Sequence, residues 1–218
     1  MNWKLSAFAD EIDDDLDIQI AELGSEGIEL IDLRSAFGKN VMLLSDEEVK
    51  AVLGQATKAD LGFNCVASPI NKVVMQFAEA EAELAKLHRA IEVAKILGIN
   101  RIRIFTPEGE SFAEVCEWMD PQIDLAVKHN MVLLHENDGR YFGAFPDNAR
   151  LLMERYASPN FRFAFDFANP LHLGFKAMDN WFPWLLPYLE TIHIKDATAE
   201  GKICPAGQGV GQVPETLA

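Results

Sequence analysis

Seven short apolar runs recur along the chain at intervals of about 30 residues, and this repeat most constrains the fold. They read WKLSAF, IELIDL, GFNCVA, RIRIF, MVLLHE, FRFAFD and TIHIKD. Segments with helical signals lie between them, and two begin with capping-box patterns, at Ser45 with Glu48 and at Ser111 with Glu114. Pro146 suits the first turn of another helix. This alternation predicts a parallel β-sheet with helical crossovers.

Composition limits the class of protein and of partner. With 218 residues and 49% apolar content, the chain is long enough for one α/β domain over residues 1–218. Its formal net charge of -15 argues against nucleic acids and anionic membranes as partners, because both require basic surfaces. We find no targeting peptide and no apolar stretch near the roughly 18 residues of a membrane span, so we expect a soluble, cytoplasmic protein. Cys65, Cys116 and Cys204 lack paired spacing and are interpreted as free thiols.

The ends of the apolar runs favour a barrel over an open, doubly wound sheet. No Gly-x-Gly-x-x-Gly motif follows the first run, and no Walker loop is present, so the usual nucleotide sites of open sheets are missing. Polar residues instead end nearly every run: Asp10 and Glu11, Asp32 and Arg34, Ser68, Arg103, Glu136 and Asn137, Asp166 and Asn169, His193 and Lys195. Such a distribution is typical of (β/α)8 TIM-barrel enzymes, whose sites are built from the βα loops of one face.

The number of units is short of a full barrel. A (β/α)8 barrel typically has about 250 residues, and TIHIKD is followed here by the glycine loop GQGVGQ and the start of a helix. We therefore expect a TIM-barrel-type domain with about seven βα units, incomplete at its C-terminal end because the eighth strand is missing. The first and seventh strands would be unpaired edges, which leaves open a homo-oligomer that closes the barrel by strand exchange.

Three consecutive runs carry residues that can share a divalent metal ion: Glu136 and Asp166 close the fifth and sixth runs, and His193 lies in the seventh. Strand alternation that points these side chains into the barrel turns His135 outward, so His135 is not counted as a ligand. Taken singly, each could be a solvent-exposed acid, a helix cap or a core histidine. Together they favour a metal site for Mn²⁺ first, with Mg²⁺, Co²⁺ and Zn²⁺ as alternatives.

Several motifs in order resemble the sugar phosphate isomerase/epimerase family, which has the xylose-isomerase-like TIM barrel. These are LSAFADEI, IDLRSAFGKNVMLLSDEE, ASPINKV, LLHEND, FDFANP, HIKDA and PAGQGVGQVP, and they span nearly the whole chain. The resemblance implies a metal held by a Glu, an Asp, a His and a further Glu from the eighth strand. Glu136, Asp166 and His193 match the first three. Relatives often carry Glu at the position of Asp32, and some carry His at that of Asn169.

Such a site supports proton transfer beside a carbonyl, so the sequence indicates a metal-dependent isomerase or epimerase of a sugar, sugar phosphate or related polyol or keto compound. We expect Glu136 to remove the α-proton and give an enediolate, and Lys195 to neutralise the developing oxyanion. Arg103 suits a substrate carboxylate or phosphate. The residues expected to contact this small, sugar-like substrate are Glu11, Asp32, Ser68, Arg103, Asn137 and Asn169.

A dehydratase begins with the same α-proton abstraction and remains an alternative within this class, and two functions of other classes also remain open. One is a metal-dependent phosphoesterase of the apurinic-endonuclease type, which needs further His and Glu ligands and a surface that tolerates DNA. The other is a catalytically incomplete, truncated barrel. The GQGVGQ loop resembles a phosphate cradle, but it lacks a flanking strand and helix in the right order and is a weak motif.

Overall fold

A computed structural model describes residues 3–218 of the chain. Seven strands form one sheet, and we number them β1 to β7: Ser6–Ala7, Leu30–Leu33, Gly62–Ala67, Arg101–Ile104, Val132–Glu136, Phe161–Asp166 and Leu189–His193. Their spatial order is their order in the chain, and every neighbouring pair is parallel. Sequential parallel strands with helical crossovers give an open TIM-barrel-like sheet, as the sequence predicts.

The helices are α1 to α7: Leu16–Ser25, Asp46–Lys58, Ala80–Leu97, Phe112–His129, Pro146–Tyr156, Phe182–Leu185 and Val213–Leu217. The capping box of Ser45 and Glu48 forms in full at α2. At α4, Ser111 accepts a hydrogen bond from the Glu114 N–H, which is one half of the predicted box. Pro146 is the first residue of α5, as predicted. None of the helices in residues 3–218 combines the length and apolar character that a membrane span requires.

The segment WFPWLLPYL before β7 is irregular. A π-helical turn over Ala177–Trp181 leads into the four-residue α6, and a 3₁₀ turn follows. Its two prolines remove helical N–H donors, which explains the short pieces. Trp181 is fully buried, with its ring centroid 5.4 Å from that of Phe165 on β6. The segment therefore closes the core over the outer face of β6.

The sheet is open between its first and last strands. Within the described residues, β1 pairs only with β2, and β7 pairs only with β6, so both predicted edges are found. A cavity of about 640 Å³ lies along this opening. Residues of both edges line it, including Ser6, Phe8, Thr191, His193 and Lys195. We call this opening the seam.

Candidate metal centre at the mouth of the barrel

Glu136, Asp166 and His193 are the last residues of β5, β6 and β7. The parallel register places Asp166 beside His193, and Glu136 beside Ala164. All three side chains are buried, and each offers a ligand atom within 4.8 Å of those of the other two. The structure therefore brings the three predicted ligands together at the carboxyl ends of adjacent strands.

Unsatisfied polar atoms in this cluster fit a bound cation. Asp166 Oδ1 accepts hydrogen bonds from the N–H groups of Ala168 and Asn169, at 2.9 Å each. Asp166 Oδ2, Glu136 Oε2 and His193 Nδ1 are buried and make no hydrogen bond of good geometry in the described structure, although each lies within 3.5 Å of a charged or ionisable group. Buried polar atoms rarely remain without a well-formed hydrogen bond. Two carboxylates and one imidazole make a donor set that suits a divalent ion.

Charged side chains near the cluster oppose the effect of burial on the pKa of Glu136. Burial raises the pKa of Glu136, but His193, Arg103 and Lys195 outweigh it and lower the pKa to about 2. The shortest separations are 3.2 Å between His193 Nδ1 and Glu136 Oε1, and 3.1 Å between Arg103 Nη1 and Glu136 Oε2. Burial and the charge of Glu136 raise the pKa of Asp166. The cluster therefore places a carboxyl group of lowered pKa, Glu136, beside one of raised pKa, Asp166.

His135 faces away from the cluster, as strand alternation predicts. Its buried ring packs near Phe161 and Phe163, and a Cβ atom on Gly143 would lie only 2.2 Å from its Nε2. Burial lowers the pKa of His135 to about 4. This histidine is thus a neutral core residue between the sheet and the turn before α5.

Three of the residues expected to bind substrate have contacts within the protein. Glu11 is half exposed at the rim and forms an ion pair with Arg34. Asp32 is buried, and its carboxylate accepts hydrogen bonds from Ser6, Asn64 and Cys65. An extra residue in β3, opposite β2, lets Asn64 and Cys65 both reach this carboxylate. The Ser68 hydroxyl donates to a backbone carbonyl at 2.6 Å and is fully buried.

The remaining predicted residues lie closer to the cluster. Arg103 is buried, and its Nη2 donates to the carbonyls of Ala67 and Ser68, which holds the guanidinium beside Glu136. The side-chain amide of Asn137 is hydrogen-bonded to the backbone N–H and carbonyl of Asp166, and Asn169 Nδ2 donates to the Asn137 carbonyl.

Lys195 differs from its prediction in one respect. The TIHIKD strand was expected to continue through Lys195, but β7 ends at His193. The chain turns there because Asp196–Ala197 pairs with Ile203–Cys204 in a small hairpin. Lys195 Nζ still lies 3.5 Å from Asp166 Oδ2, and the side chain is about one-third exposed at 35%.

Sequence reasoning missed the part that Phe8 plays at the mouth. The Phe8 ring meets the His193 ring edge to face, with centroids 5.0 Å apart. Three cationic side chains also approach this ring: Arg34 at 5.2 Å, Arg103 at 5.4 Å and Lys195 at 5.9 Å. Its position as the last residue of the first apolar run was the available signal. Phe8 thus supports both the candidate ligand on β7 and the cations around it.

The glycine loop is arranged around an anion from its own chain. Oδ1 of the buried Asp196 accepts hydrogen bonds from the N–H groups of Ala197 and Gly211, and Oδ2 accepts from those of Gly207 and Gly209. A Cβ atom on Gly209 would lie 2.3 Å from Asp196 Oδ1. The backbone amides that suggested a weak phosphate motif therefore bind an aspartate, and they fix the loop against the end of β7.

The chain is similar in structure to several solved proteins, although no curated protein matches it at a significant level. The probable 3-DHS dehydratase AsbF of Bacillus anthracis superposes with a TM-score of 0.77 at 18% identity, covering 100% of this chain and 88% of the other. A D-tagatose 3-epimerase-like protein gives 0.75 at 13% identity, with 96% and 82% covered. A Mycobacterium smegmatis xylose isomerase-like TIM barrel protein in complex with magnesium gives 0.69 at 16%, with 88% and 72% covered.

At these identities the structural likeness shows the fold. The family model described as xylose isomerase-like TIM barrel matches residues 18–215, nearly the whole chain. The chain therefore belongs to the xylose isomerase-like TIM barrel family.

Proposed function

We propose that the chain is a divalent-metal-dependent isomerase or epimerase of a sugar, sugar phosphate or related polyol or keto compound. The observation that carries this proposal is the convergence of Glu136, Asp166 and His193, with ligand atoms within 4.8 Å and three buried polar atoms that make no hydrogen bond of good geometry. The family also includes solved structures named as epimerases, which supports this reaction class.

Glu136, Asp166 and His193 are the residues that would hold the ion. When bound, it would supply Lewis-acid chemistry that polarises a substrate carbonyl and acidifies the neighbouring C–H. Mn²⁺ suits two carboxylates and one imidazole, and Mg²⁺, Co²⁺ and Zn²⁺ are the alternatives. The magnesium in the Mycobacterium smegmatis structure shows that this fold accepts a divalent ion in that protein.

The low pKa of Glu136 bears differently on its two proposed roles, metal ligand and proton acceptor. A carboxylate with a pKa of about 2 stays ionised at neutral pH, as a metal ligand must. The same acidity makes Glu136 a weak proton acceptor, so the ligand role is better supported than the base role. Arg103, held by two backbone carbonyls, fixes the orientation of the Glu136 carboxylate.

Lys195 is the candidate for charge stabilisation. Its Nζ is partly exposed, lies 3.5 Å from Asp166 Oδ2 and faces the cavity along the seam. Transfer of an α-proton from a substrate there to Glu136, the candidate base, would leave a negative charge on the substrate, which a nearby ammonium stabilises. With Arg34 and Arg103 around the same Phe8 ring, the mouth also favours a substrate that carries a phosphate or carboxylate.

Metal binding is the first test. Titration calorimetry with Mn²⁺ should show one site in the unmodified protein and strongly reduced affinity in Glu136→Ala. Glu11→Ala is a matched control, because it removes an acid from the same face that lies outside the cluster. No Mn²⁺ binding, or equal binding by Glu136→Ala and the unmodified protein, would contradict the proposal.

Proton exchange tests the chemistry. The Mn²⁺-loaded protein, incubated in D₂O with a panel of ketoses, ketose phosphates and hydroxy-keto acids, should exchange the α-proton of its substrate class, which NMR detects. Lys195→Met should slow this exchange and leave Mn²⁺ affinity within about 3-fold, because its side chain is not one of the three ligands. Equal exchange rates would remove Lys195 from the mechanism.

The phosphoesterase alternative calls for more ligands beside the first three. Among residues 3–218, Glu136, Asp166 and His193 form the one group of acidic, histidine or cysteine side chains close enough to share an ion. The formal net charge of -15 also opposes DNA binding. The isomerase or epimerase reaction therefore remains the leading proposal.

A further inference from the structure

We propose that Asn137 is a positioning residue that sets the separation of the two carboxylates in the candidate metal centre. Its own side chain need not touch the ion or the substrate. This inference rests on the proposed metal-dependent function, because the separation matters only if Glu136 and Asp166 share an ion.

The Asn137 side chain extends the β5–β6 pairing beyond the end of β5. The last backbone pair of the ladder joins Glu136 and Ala164. Beyond this pair, the Asn137 side-chain amide makes the hydrogen bonds that a strand backbone would make. Its Oδ1 accepts from the Asp166 N–H at 2.8 Å, and its Nδ2 donates to the Asp166 carbonyl at 3.0 Å. Both groups of the Asp166 peptide backbone are therefore held by one buried side chain.

Two further contacts complete the arrangement. Asn169 Nδ2 donates to the Asn137 carbonyl at 2.9 Å, and the Asn169 N–H donates to Asp166 Oδ1 at 2.9 Å. The loop after β6 is thus tied to the loop after β5 and to the Asp166 carboxylate at once. These bonds use Asp166 Oδ1 and leave Oδ2 without a hydrogen bond, 3.5 Å from Lys195 Nζ and close to the other candidate ligand atoms.

Asn137 can position both carboxylates because it directly follows Glu136 in the chain. Its hydrogen bonds to the Asp166 backbone therefore fix the Glu136 and Asp166 carboxylates relative to each other. Like charges buried this close repel each other when no cation lies between them. A rigid link between the two loops opposes that repulsion and keeps the two carboxylates ready for an ion.

A matched control exists at the opposite end of the same two strands. Asn160 precedes β6, and its Nδ2 donates to the Met131 carbonyl, just before β5, at 2.7 Å. Asn160→Ala therefore removes the same kind of bond between the same two strands, far from the carboxylates. A purely structural role for Asn137 predicts that both alanine variants behave alike.

The experiment measures Mn²⁺ affinity by calorimetry and stability by urea unfolding in each variant. Asn137→Ala should lower Mn²⁺ affinity by about 10- to 100-fold, the usual effect of losing a residue that orients a ligand. Asn160→Ala should leave the affinity within about 2-fold, although its urea midpoint also falls. Asn169→Ala, which removes only the bond to the Asn137 carbonyl, should lower affinity by less than about 10-fold and provides a milder variant if Asn137→Ala does not fold.

The outcomes separate this inference from the function on which it rests. If the unmodified protein binds Mn²⁺, Asp166→Ala does not, and Asn137→Ala binds as the unmodified protein does, Asn137 has no positioning role. If the unmodified protein fails to bind Mn²⁺, the proposed function is wrong, and the inference is overturned with it.

Discussion

The two carboxylates and the imidazole of the candidate centre lie in different structural settings. Glu136 and Asp166 end strands that are paired on both sides, whereas His193 ends β7, which is paired only with β6 in the described residues. Backbone pairing therefore fixes the carboxylates, while the histidine depends on other contacts. These are the Phe8 ring, the Glu136 carboxylate 3.2 Å from His193 Nδ1, and the glycine loop that follows β7 and binds Asp196, which we call the Asp196 loop. The centre thus combines two firmly held ligands with one whose support comes from side chains and a loop.

Packing differs in the same way across the β6–β7 boundary. Phe165 and Ile192 are register partners on the two strands. Phe165 is fully buried among Phe167, Trp181 and Phe182, whereas Ile192 is only partly buried. Apolar packing is therefore less complete at β7, the strand that borders the seam, than at the neighbouring β6.

The largest expected effect concerns this pair. Phe165→Ala should lower the free energy of unfolding by about 3–5 kcal/mol, because it removes a buried ring and leaves a cavity. Ile192→Ala should cost only about 1–2 kcal/mol, because less apolar area is lost from a half-buried site. Urea unfolding of both variants measures the difference, and equal losses would show that the seam is as tightly packed as the interior.

Metal affinity should follow the strength of support for each ligand. Asp166→Ala removes a ligand and should weaken Mn²⁺ binding by more than about 100-fold. Phe8→Ala removes the ring that packs against His193 and should weaken binding by about 10-fold, with the ligands intact. Calorimetry at matched pH tests both. Unchanged affinity in Phe8→Ala would mean that β7 alone positions the imidazole.

The Asp196 loop should make the free energy of unfolding depend on pH. Burial raises the pKa of Asp196, but hydrogen bonds from Gly209, Gly211, Ala197 and Gly207 outweigh it and lower the pKa. A lowered pKa in the folded state gives stability that is present above the pKa of the unfolded chain and is lost as pH falls through the folded value. Asp196→Asn should therefore cost about 1–3 kcal/mol at pH 7 and progressively less toward pH 2. A constant difference across this range in urea unfolding would contradict the assignment.

The smallest effect is expected at the far end of the seam. Arg101 Nη2 lies 2.6 Å from Glu190 Oε1, and both side chains are substantially exposed. Arg101→Gln should lower the free energy of unfolding by less than about 1 kcal/mol, and added salt should reduce the difference. A loss well above this value in low-salt urea unfolding would show that the ion pair holds the open edge in place.

Much of the barrel followed from periodicity in the sequence. The apolar runs and the helical segments between them predicted seven parallel strands in chain order, because burial on both faces and crossover spacing leave few other arrangements. Strand alternation also separated His135 from Glu136 correctly. These predictions succeed because they depend on local patterns that tertiary packing reinforces.

The contacts that organise the mouth could not be predicted in this way. Asn137 binds the backbone of Asp166, and Asp196 binds the amides of its own loop. Both depend on the path of a loop in space, which periodicity does not encode. The end of β7 before Lys195 has the same origin, since the hairpin and the loop together turn the chain after His193.

The Asp196 loop also has a consequence for motif searches. Gly209 and Gly211 cannot accept a side chain without moving the Asp196 carboxylate, so selection for this fold would retain an alternating glycine pattern. A scan for nucleotide or phosphate loops would read that pattern as a ligand signature. Here the anion is the Asp196 carboxylate, about a dozen residues upstream in the same chain, so the loop is internally satisfied and is not an open phosphate cradle.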